Sequence, residues 1–315
     1  MRMSIHDVPE YVNFHYEFNF VSTVVFSSYA LILVTALVVL RMCHVYYGKK
    51  KAPNTTYIHS NLFKCFIWME TANLSFLLFD NLVFGLPSTG LLTSLCVSIQ
   101  PNHFLKVLYM LQLLTNYCSM FYSLLFCVTR LLIVHCPDKH EKYSSKLYKT
   151  FVPISILVPI CFDFFMIPSL GYCRQLIPPF PIGSVFISFA DTWFDLRTDP
   201  LHLPVSLIIP SAIASINVSL VFKIRKTLLQ SKKLHSRYSY KSEISLTCTT
   251  LAIVAPFLAN ATMTFVSKWH PDFSSYVVLI RCPIVACGMA LVPWIFFTSH
   301  PLFSKKSRVL PATSS

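Results

Sequence analysis

The sequence predicts an all-α membrane protein: a bundle of seven transmembrane helices, with the amino terminus outside the cell and the carboxyl terminus in the cytoplasm. Composition is the first observation, because 54% of the 315 residues are hydrophobic and 12% are charged. That is about half the charged share of a soluble domain, and the mean hydropathy is +0.58. The second observation is the recurrence of long apolar segments, and the third is the uneven distribution of Lys and Arg between them.

A helix crosses the bilayer core with about 20 mainly apolar residues. Segments of this kind are predicted at residues 20–40, 62–86, 104–134, 151–170, 204–222, 244–267 and 276–298. Prolines inside several of these spans do not exclude helix, because neighbouring helices can satisfy the backbone groups that a proline frees. No soluble domain and no internal repeat is recognisable between them.

Lys and Arg fall mainly in every second loop. Residues 41–60, 135–150, 223–243 and 299–315 contain eighteen of them, whereas 1–19, 87–103, 171–203 and 268–275 contain four. Since basic loops stay in the cytoplasm, residues 1–19 are predicted to be extracellular and 299–315 to form a cytoplasmic tail. The net charge of +13 then faces anionic lipid, and no nucleic-acid partner is expected.

Of the eleven cysteines, Cys96 and Cys173 are the two in predicted outer loops. The cell exterior is oxidising, so we predict a disulfide that joins the 87–103 loop to the 171–203 loop. Cys96 precedes Arg130 by 34 residues, which is too far for one straight helix within the bilayer. Cys96 is therefore assigned to the loop before the third span.

Ionisable side chains inside spans are costly in lipid and need partners. Glu70 lies about 13 Å into the second span, near the midplane, and must face the bundle. Asp163 is expected to be similarly deep in the fourth span. For both, hydrogen bonding within the bundle is the favoured role over contact with a bound molecule.

The stretch FCVTRLLIVHCPDKHEKY, residues 126–143, places Arg130 at the inner end of the third span. One interpretation is an arginine that extends its charge to the cytoplasmic interface. The other follows from resemblance. Seven spans, an arginine at this place and a Pro-containing seventh span before a basic segment resemble G protein-coupled receptors. The chain departs from that pattern in Thr129-Arg130-Leu131 and in VPWIF, where Val292 and Phe296 replace Asn and Tyr.

Four stretches carry a narrower resemblance. They are TRLLIVHCPDKHEKY (129–143), GYCRQLIPPFPIGSV (171–185), SEISLTCTT (242–250) and VPWIFFTSHPLF (292–303). In order and spacing they resemble the nematode serpentine receptors of class gamma, a chemoreceptor family. The resemblance implies a chemosensory receptor in the plasma membrane that binds a small molecule from outside. It also implies coupling to a heterotrimeric G protein, for which the candidate residues are Arg130, Lys223, Arg225 and Lys226.

In a receptor of this architecture the ligand would enter from the outer side. Candidate ligand-binding residues are Tyr109, Gln112 and Asn116, which share one face of the third span, with Asn260 and Thr264 opposite on the sixth. Ordinary bonding between helices is an equally good explanation for this polar stripe. The 171–203 loop is expected to cover the cavity in part, and Pro256 is expected to bend the sixth span.

The second and seventh helices are neighbours in such receptors. Asp80 and Arg281 both lie about 8–9 Å below the outer interface, so we predict a buried ion pair in which the guanidinium grips the carboxylate. In the alternative, Arg281 extends outward to water and Asp80 bonds a neighbouring amide.

Enzyme chemistry has little support in the sequence, which lacks G-x-G-x-x-G, P-loop, H-E-x-x-H and C-x-x-C motifs. His135 and His140 do not share a helical face, so neither a metal site nor a cofactor is expected. The main alternative function is a transporter of a small solute that uses intramembrane carboxylates. Such proteins more often show duplicated halves or paired broken helices, and seven dissimilar spans favour a receptor.

Epitope tags test the predicted orientation. A tag before Met1 should bind antibody on intact cells, and a tag after Ser315 only after permeabilisation, because basic loops remain in the cytoplasm. The opposite labelling pattern would contradict the orientation.

Overall fold

The computed structural model describes residues 4–49, 59–136, 138–190, 192–193, 199–230, 235–300 and 302–303. Within these ranges, seven helices are long and apolar enough to cross a membrane. The predicted tail 299–315 lies outside the described residues except for 299–300 and 302–303, and the predicted amino-terminal segment 1–19 is described from residue 4.

The long helices are named in chain order. They are α1 (Phe20–Lys49), α2 (Ser60–Asp80), α3 (His103–His135), α4 (His140–Phe162), α5 (Asp199–Gln230), α6 (His235–Ala252 and Val254–Trp269) and α7 (Ser274–Ser299). Most of them extend past the predicted apolar spans at their inner ends. Hydropathy marks the part of a helix that lies in lipid, and polar residues continue the helix beyond that part.

The fourth helix departs most from its predicted span, 151–170. It begins at His140, includes Pro153 and Pro159, and ends at Phe162. A short 3₁₀ turn, Phe164–Met166, follows, because the chain must turn into a strand that begins at Leu170. Asp163 is buried as predicted, but it lies at the outer end of α4 and not deep within a span.

A β-hairpin between α4 and α5 was not predicted from the sequence. Strands β1 (Leu170–Gln175) and β2 (Val185–Ala190) pair antiparallel, with Leu170 opposite Ala190. β1 lies directly against the start of α3, where Asn102 and Gly171 exchange backbone hydrogen bonds of 3.0 Å. A Cβ at Gly171 would lie 2.2 Å from the backbone nitrogen of Lys106, so this contact requires glycine.

Cys96 and Cys173 join the hairpin to the segment before α3. Cys96 lies in a short helix, Thr93–Ser98, which precedes α3, and Cys173 lies in β1. The two residues form a disulfide with their Cα atoms 5.8 Å apart, within the usual range for such bonds. Asn102 caps α3 with its side-chain oxygen, which accepts from the Leu105 nitrogen at 3.0 Å.

α3 is the central helix of the bundle, in contact with α2, α4, α5 and both strands, while α7 packs on α1, α2 and α6. Glu70 on α2 is 1% exposed, as its predicted depth requires. The outward faces are apolar, as on α1, where Leu33, Leu37 and Leu40 are exposed. These side chains suit contact with lipid.

Loss of the disulfide should lower the stability of the outer face. We expect Cys96→Ser and Cys173→Ser each to reduce folded protein at the cell surface and to cost about 2–4 kcal/mol, because the bond closes a long chain segment. Surface labelling and thermal unfolding of the purified protein measure both effects. Exposed Cys161 supplies the matched control Cys161→Ser. A double variant much worse than either single one would show that the cysteines act separately.

Candidate functional site

Asp80 and Arg281 form a bidentate ion pair between α2 and α7. Arg281 Nη1 donates to Asp80 Oδ2 at 3.1 Å, and Nη2 donates to Oδ1 at 2.8 Å. Both side chains are 6% exposed, so neither charge is solvated by water. A π-helical turn, Asn81–Gly85, directly follows Asp80 and brings the Phe84 ring to 5.7 Å from the Arg281 guanidinium, a cation–π distance.

Hydrogen bonds continue from this ion pair across the bundle. Arg281 Nε donates to Asn260 Oδ1 at 2.7 Å, and Asn260 Nδ2 donates to Asn116 Oδ1 at 3.2 Å. Asn116 Nδ2 lies 3.4 Å from His202 Nε2, while Gln112 Nε2 donates to Asp80 Oδ1 at 3.1 Å. We call these side chains the polar network. Its members are Asp80, Arg281, Asn260, Asn116, Gln112 and His202.

The polar network lies beside a cavity of about 100 Å³. All five residues predicted to bind a ligand line this cavity: Tyr109, Gln112, Asn116, Asn260 and Thr264. The structure therefore brings them together, although Thr264 uses its hydroxyl to bond the Asn260 carbonyl oxygen of its own helix at 3.0 Å. Apolar walls come from Phe84, Leu113, Met263 and Val278.

His202 lines the same cavity and was missed from the sequence. It lies two residues before the predicted fifth span, since α5 begins earlier than hydropathy indicates. The Tyr117 ring packs edge-on against it at 5.3 Å. One feature of the sequence could have indicated it. His202 and Ser206 are one helical turn apart, and the Ser206 hydroxyl bonds His202 Nε2 at 3.1 Å.

β2 packs on the outer side of the cavity. Phe186 stacks on Phe84 at 5.7 Å, and Phe189 lies 5.0 Å from the Tyr109 ring. Since Phe84 and Tyr109 both line the cavity, the hairpin supports two of its walls from behind. None of the described residues of β1 and β2 lines the cavity itself, so the covering role expected of the 171–203 loop stays a prediction.

Arg130 is buried at the inner end of the bundle, with 1% of its surface exposed. Its guanidinium donates to Asn217 Oδ1 on α5 at 3.2 Å, and to Thr250 and Thr247 on α6 at 3.1 and 2.9 Å. The interpretation in which Arg130 extends to the interface is therefore wrong, because its donors are directed into the bundle. Exposed Lys223, Arg225 and Lys226 lie at the inner end of α5.

His140, considered with His135 as a metal ligand, contacts a different histidine. His140 Nε2 lies 3.2 Å from His59 Nδ1, whereas His135 Nδ1 lies 3.1 Å from the Leu131 carbonyl oxygen. Burial, and then the neighbouring His140, lower the pKa of His59 below its ordinary value. This pair links the inner ends of α2 and α4.

The sequence matches a known receptor family. A family model described as "Serpentine type 7TM GPCR chemoreceptor Sru" matches residues 5–306. The chain belongs to the Sru family. Serpentine receptor class U-26 of Caenorhabditis elegans is 31% identical over 270 residues, which cover 84% of this chain and 90% of that protein.

The bundle also resembles a solved structure. The crystal structure of squid rhodopsin superposes with a TM-score of 0.58 at 16% identity, covering 95% of this chain and 88% of that one. At this identity the likeness concerns the fold. The Sru protein is thus a multi-pass membrane protein and a chemosensory receptor of the G protein-coupled type, and the transporter alternative is set aside.

The resemblance to class gamma named the wrong class of serpentine receptor, because the family is Sru. The four stretches on which it rested lie at the inner ends of α3, α6 and α7 and in the β-hairpin. None of their residues lines the outer cavity. They therefore indicate the seven-helix receptor architecture more readily than the class.

Breaking the ion pair should strand one buried charge. We expect Asp80→Ala or Arg281→Ala each to cost about 3–5 kcal/mol and to reduce folded receptor at the surface. The exchanged double variant, Asp80→Arg with Arg281→Asp, should recover part of that loss. Surface labelling across the double-mutant cycle tests this, with exposed Arg174→Ala as the control. Purely additive losses would show that the pair has no coupling energy.

Proposed function

We propose that this Sru receptor binds a small molecule in the outer cavity and activates a heterotrimeric G protein at its cytoplasmic face. The observation that best supports this proposal is the pair of polar clusters at opposite ends of α3. One contains Gln112 and Asn116 beside the cavity, and the other contains Arg130. In this proposal the amino terminus lies outside the cell, and the receptor resides in the plasma membrane.

The outer cavity has the features of a small-molecule site. Apolar walls from Phe84, Leu113, Met263 and Val278 stand beside polar side chains that offer directional hydrogen bonds, and helices hold those side chains in place. Asn260 and Thr264 belong to the outer segment of α6, so a ligand there contacts α3 and α6 together. This supports Tyr109, Gln112, Asn116, Asn260 and Thr264 as ligand-binding residues.

α6 is interrupted between the two polar clusters. Its inner segment ends at Ala252 and its outer segment begins at Val254. Pro256 lacks a backbone N–H and so leaves the Ala252 carbonyl without its helical donor. The interruption is a natural hinge, about which the inner segment swings outward when agonist binds.

The inner cluster holds α6 against α3 in the arrangement described. Hydrogen bonds to a charged donor contribute about 1.5–3 kcal/mol each, so the contacts of Thr247 and Thr250 with Arg130 favour the closed state. An agonist opens the receptor by binding the open state more tightly than the closed one. Opening would present Arg130, with Lys223, Arg225 and Lys226, to the G protein.

Removing the threonine contacts should favour opening. We expect Thr247→Val and Thr250→Val to raise basal G-protein activation several-fold, measured as nucleotide exchange in membranes that contain receptor and G protein. Thr249→Val is the matched control, because Thr249 bonds the Ser245 carbonyl oxygen of its own helix at 2.7 Å. Equal basal activity in all three variants would contradict a closed state held by Arg130.

Arg130 itself should be needed for coupling. We expect Arg130→Ala to abolish agonist-dependent nucleotide exchange while surface expression and ligand binding are largely retained. If Arg130 serves only to anchor the helix in the membrane, Arg130→Lys should leave nucleotide exchange unchanged and Arg130→Ala should chiefly lower expression.

Flux of labelled solute through receptor-containing vesicles without any G protein would support a transporter instead.

A further inference from the structure

The ion pair determines which way the hydrogen bonds of the polar network run. Arginine only donates, so the Arg281 Nε bond requires Asn260 to present its oxygen there. Asn260 then presents its nitrogen to Asn116, which must accept through Oδ1. Asn116 is left with its nitrogen facing His202 Nε2. Toward Asn116, His202 Nε2 is therefore an acceptor, and the Ser206 hydroxyl, which bonds the same nitrogen at 3.1 Å, then donates to it. In a neutral ring the proton lies on Nδ1.

The carboxylate orients the other branch in the same manner. An ionised aspartate only accepts, so Gln112 presents Nε2 to Asp80. The Gln112 Oε1 atom is left as an acceptor. The network thus ends in one donor, His202 Nδ1–H, and one acceptor, Gln112 Oε1.

Both terminal atoms are buried, and neither has a hydrogen-bond partner among the described residues. Gln112 is 4% exposed and His202 is 8% exposed. A buried polar atom without a partner is costly, and both side chains line the outer cavity. A molecule that reaches both atoms, and offers one acceptor and one donor, would satisfy them.

The charges of the site are already balanced. Arg281 is the one charged side chain among the described residues that line the cavity, and Asp80 grips it with two hydrogen bonds. A carboxylate ligand would have to displace Asp80, and an ammonium would meet no unpaired acid in the described lining. The apolar part of the lining, from Phe84, Leu113, Met263 and Val278, suits a hydrocarbon body.

We propose that the ligand is an uncharged, largely apolar molecule with a hydroxyl group, whose oxygen accepts from His202 Nδ1–H and whose proton is donated to Gln112 Oε1. This assignment rests on the proposed function in placing the ligand in the outer cavity. It makes His202 and Gln112 the residues that select the polar group. A compound that only accepts, such as an aldehyde, makes one bond where an alcohol makes two.

Matched probes test the ligand class on the full-length receptor in membranes. Hexanol, hexanal, hexanoate, hexylamine and hexane share a chain and differ in the terminal group. We expect hexanol to bind best, with hexanal weaker and hexane, hexanoate and hexylamine weakest, measured as thermal stabilisation of the receptor and as G-protein nucleotide exchange. Preference for hexanoate or hexylamine would overturn the proposal.

Two substitutions of His202 distinguish the roles of its two ring nitrogens in binding. In His202→Asn the amide nitrogen takes the place of Nδ1, and in His202→Gln the amide takes the place of Nε2. We expect His202→Gln to weaken hexanol about tenfold and His202→Asn to retain most of the affinity. Ser211→Ala is the control, because Ser211 lies on the same helix, outside the cavity lining, and bonds the Leu207 carbonyl oxygen of its own helix at 2.7 Å. Equal losses in the Asn and Gln variants would contradict the role of Nδ1–H.

A measurement without any ligand keeps the proposal testable if no probe binds. Nitrogen NMR of isotope-labelled histidine reports the tautomer of His202, identified as the signal missing from His202→Asn. A neutral ring protonated on Nδ1 supports the proposal, and a proton on Nε2 or a doubly protonated ring overturns it. Selective binding of hexanol without nucleotide exchange would refute the proposed function alone, whereas activation by hexanoate would refute the ligand class alone.

Discussion

The bidentate contact between Asp80 and Arg281 is the interaction on which the outer half of the bundle depends. An isolated charge at this depth is unfavourable in lipid, and each of these two is stable there because the other is present. The pair joins α2 to α7, and a π-helical turn directly follows Asp80. Because one partner only donates and the other only accepts, the pair also sets the orientation of each amide bonded to it.

Lipid imposes the same requirement at the inner end, where another arginine is buried. Arg130 is held by side chains from α5 and α6, and Thr250 also donates to Asn217 at 2.6 Å. Helices α3, α5 and α6 therefore each contribute to both clusters. Between the clusters, fully buried Phe66, Phe126 and Phe257 lie together with buried Glu70 and a hydrogen bond from Ser119 to Asn73.

Much of this arrangement follows from periodicity and depth. The spacing of Tyr109, Gln112 and Asn116 places them on one helical face, and the equal depths of Asp80 and Arg281 allow them to meet. Local patterns did not reveal the β-hairpin, because its strands are stabilised by α3, by Cys96 and by the aromatic walls of the cavity. His202 and the partners of Arg130 were missed for a related reason. Each depends on which side chain faces it across the bundle, and one sequence does not carry that information.

Of the helices that contribute to both clusters, α6 is the one suited to couple them. α3 runs unbroken from Gln112 to Arg130, so it cannot shift one cluster against the other without moving as a whole. α6 carries Asn260 and Thr250, about 15 Å apart along a regular helix, and it is interrupted between them.

α7 fits closely at that interruption. A Cβ on Gly288 would lie 2.5 Å from Pro256 Cγ, so glycine lets α7 pack against the proline ring. Arg281 lies on the same helix, about 10 Å further out. The contact between Pro256 and Gly288 is thus a pivot beneath the polar network. Under the proposed function, a ligand that alters the Arg281–Asn260 bond would change how α6 rests on this pivot, and by linkage a partner that holds the inner segment open would change the affinity for the ligand equally.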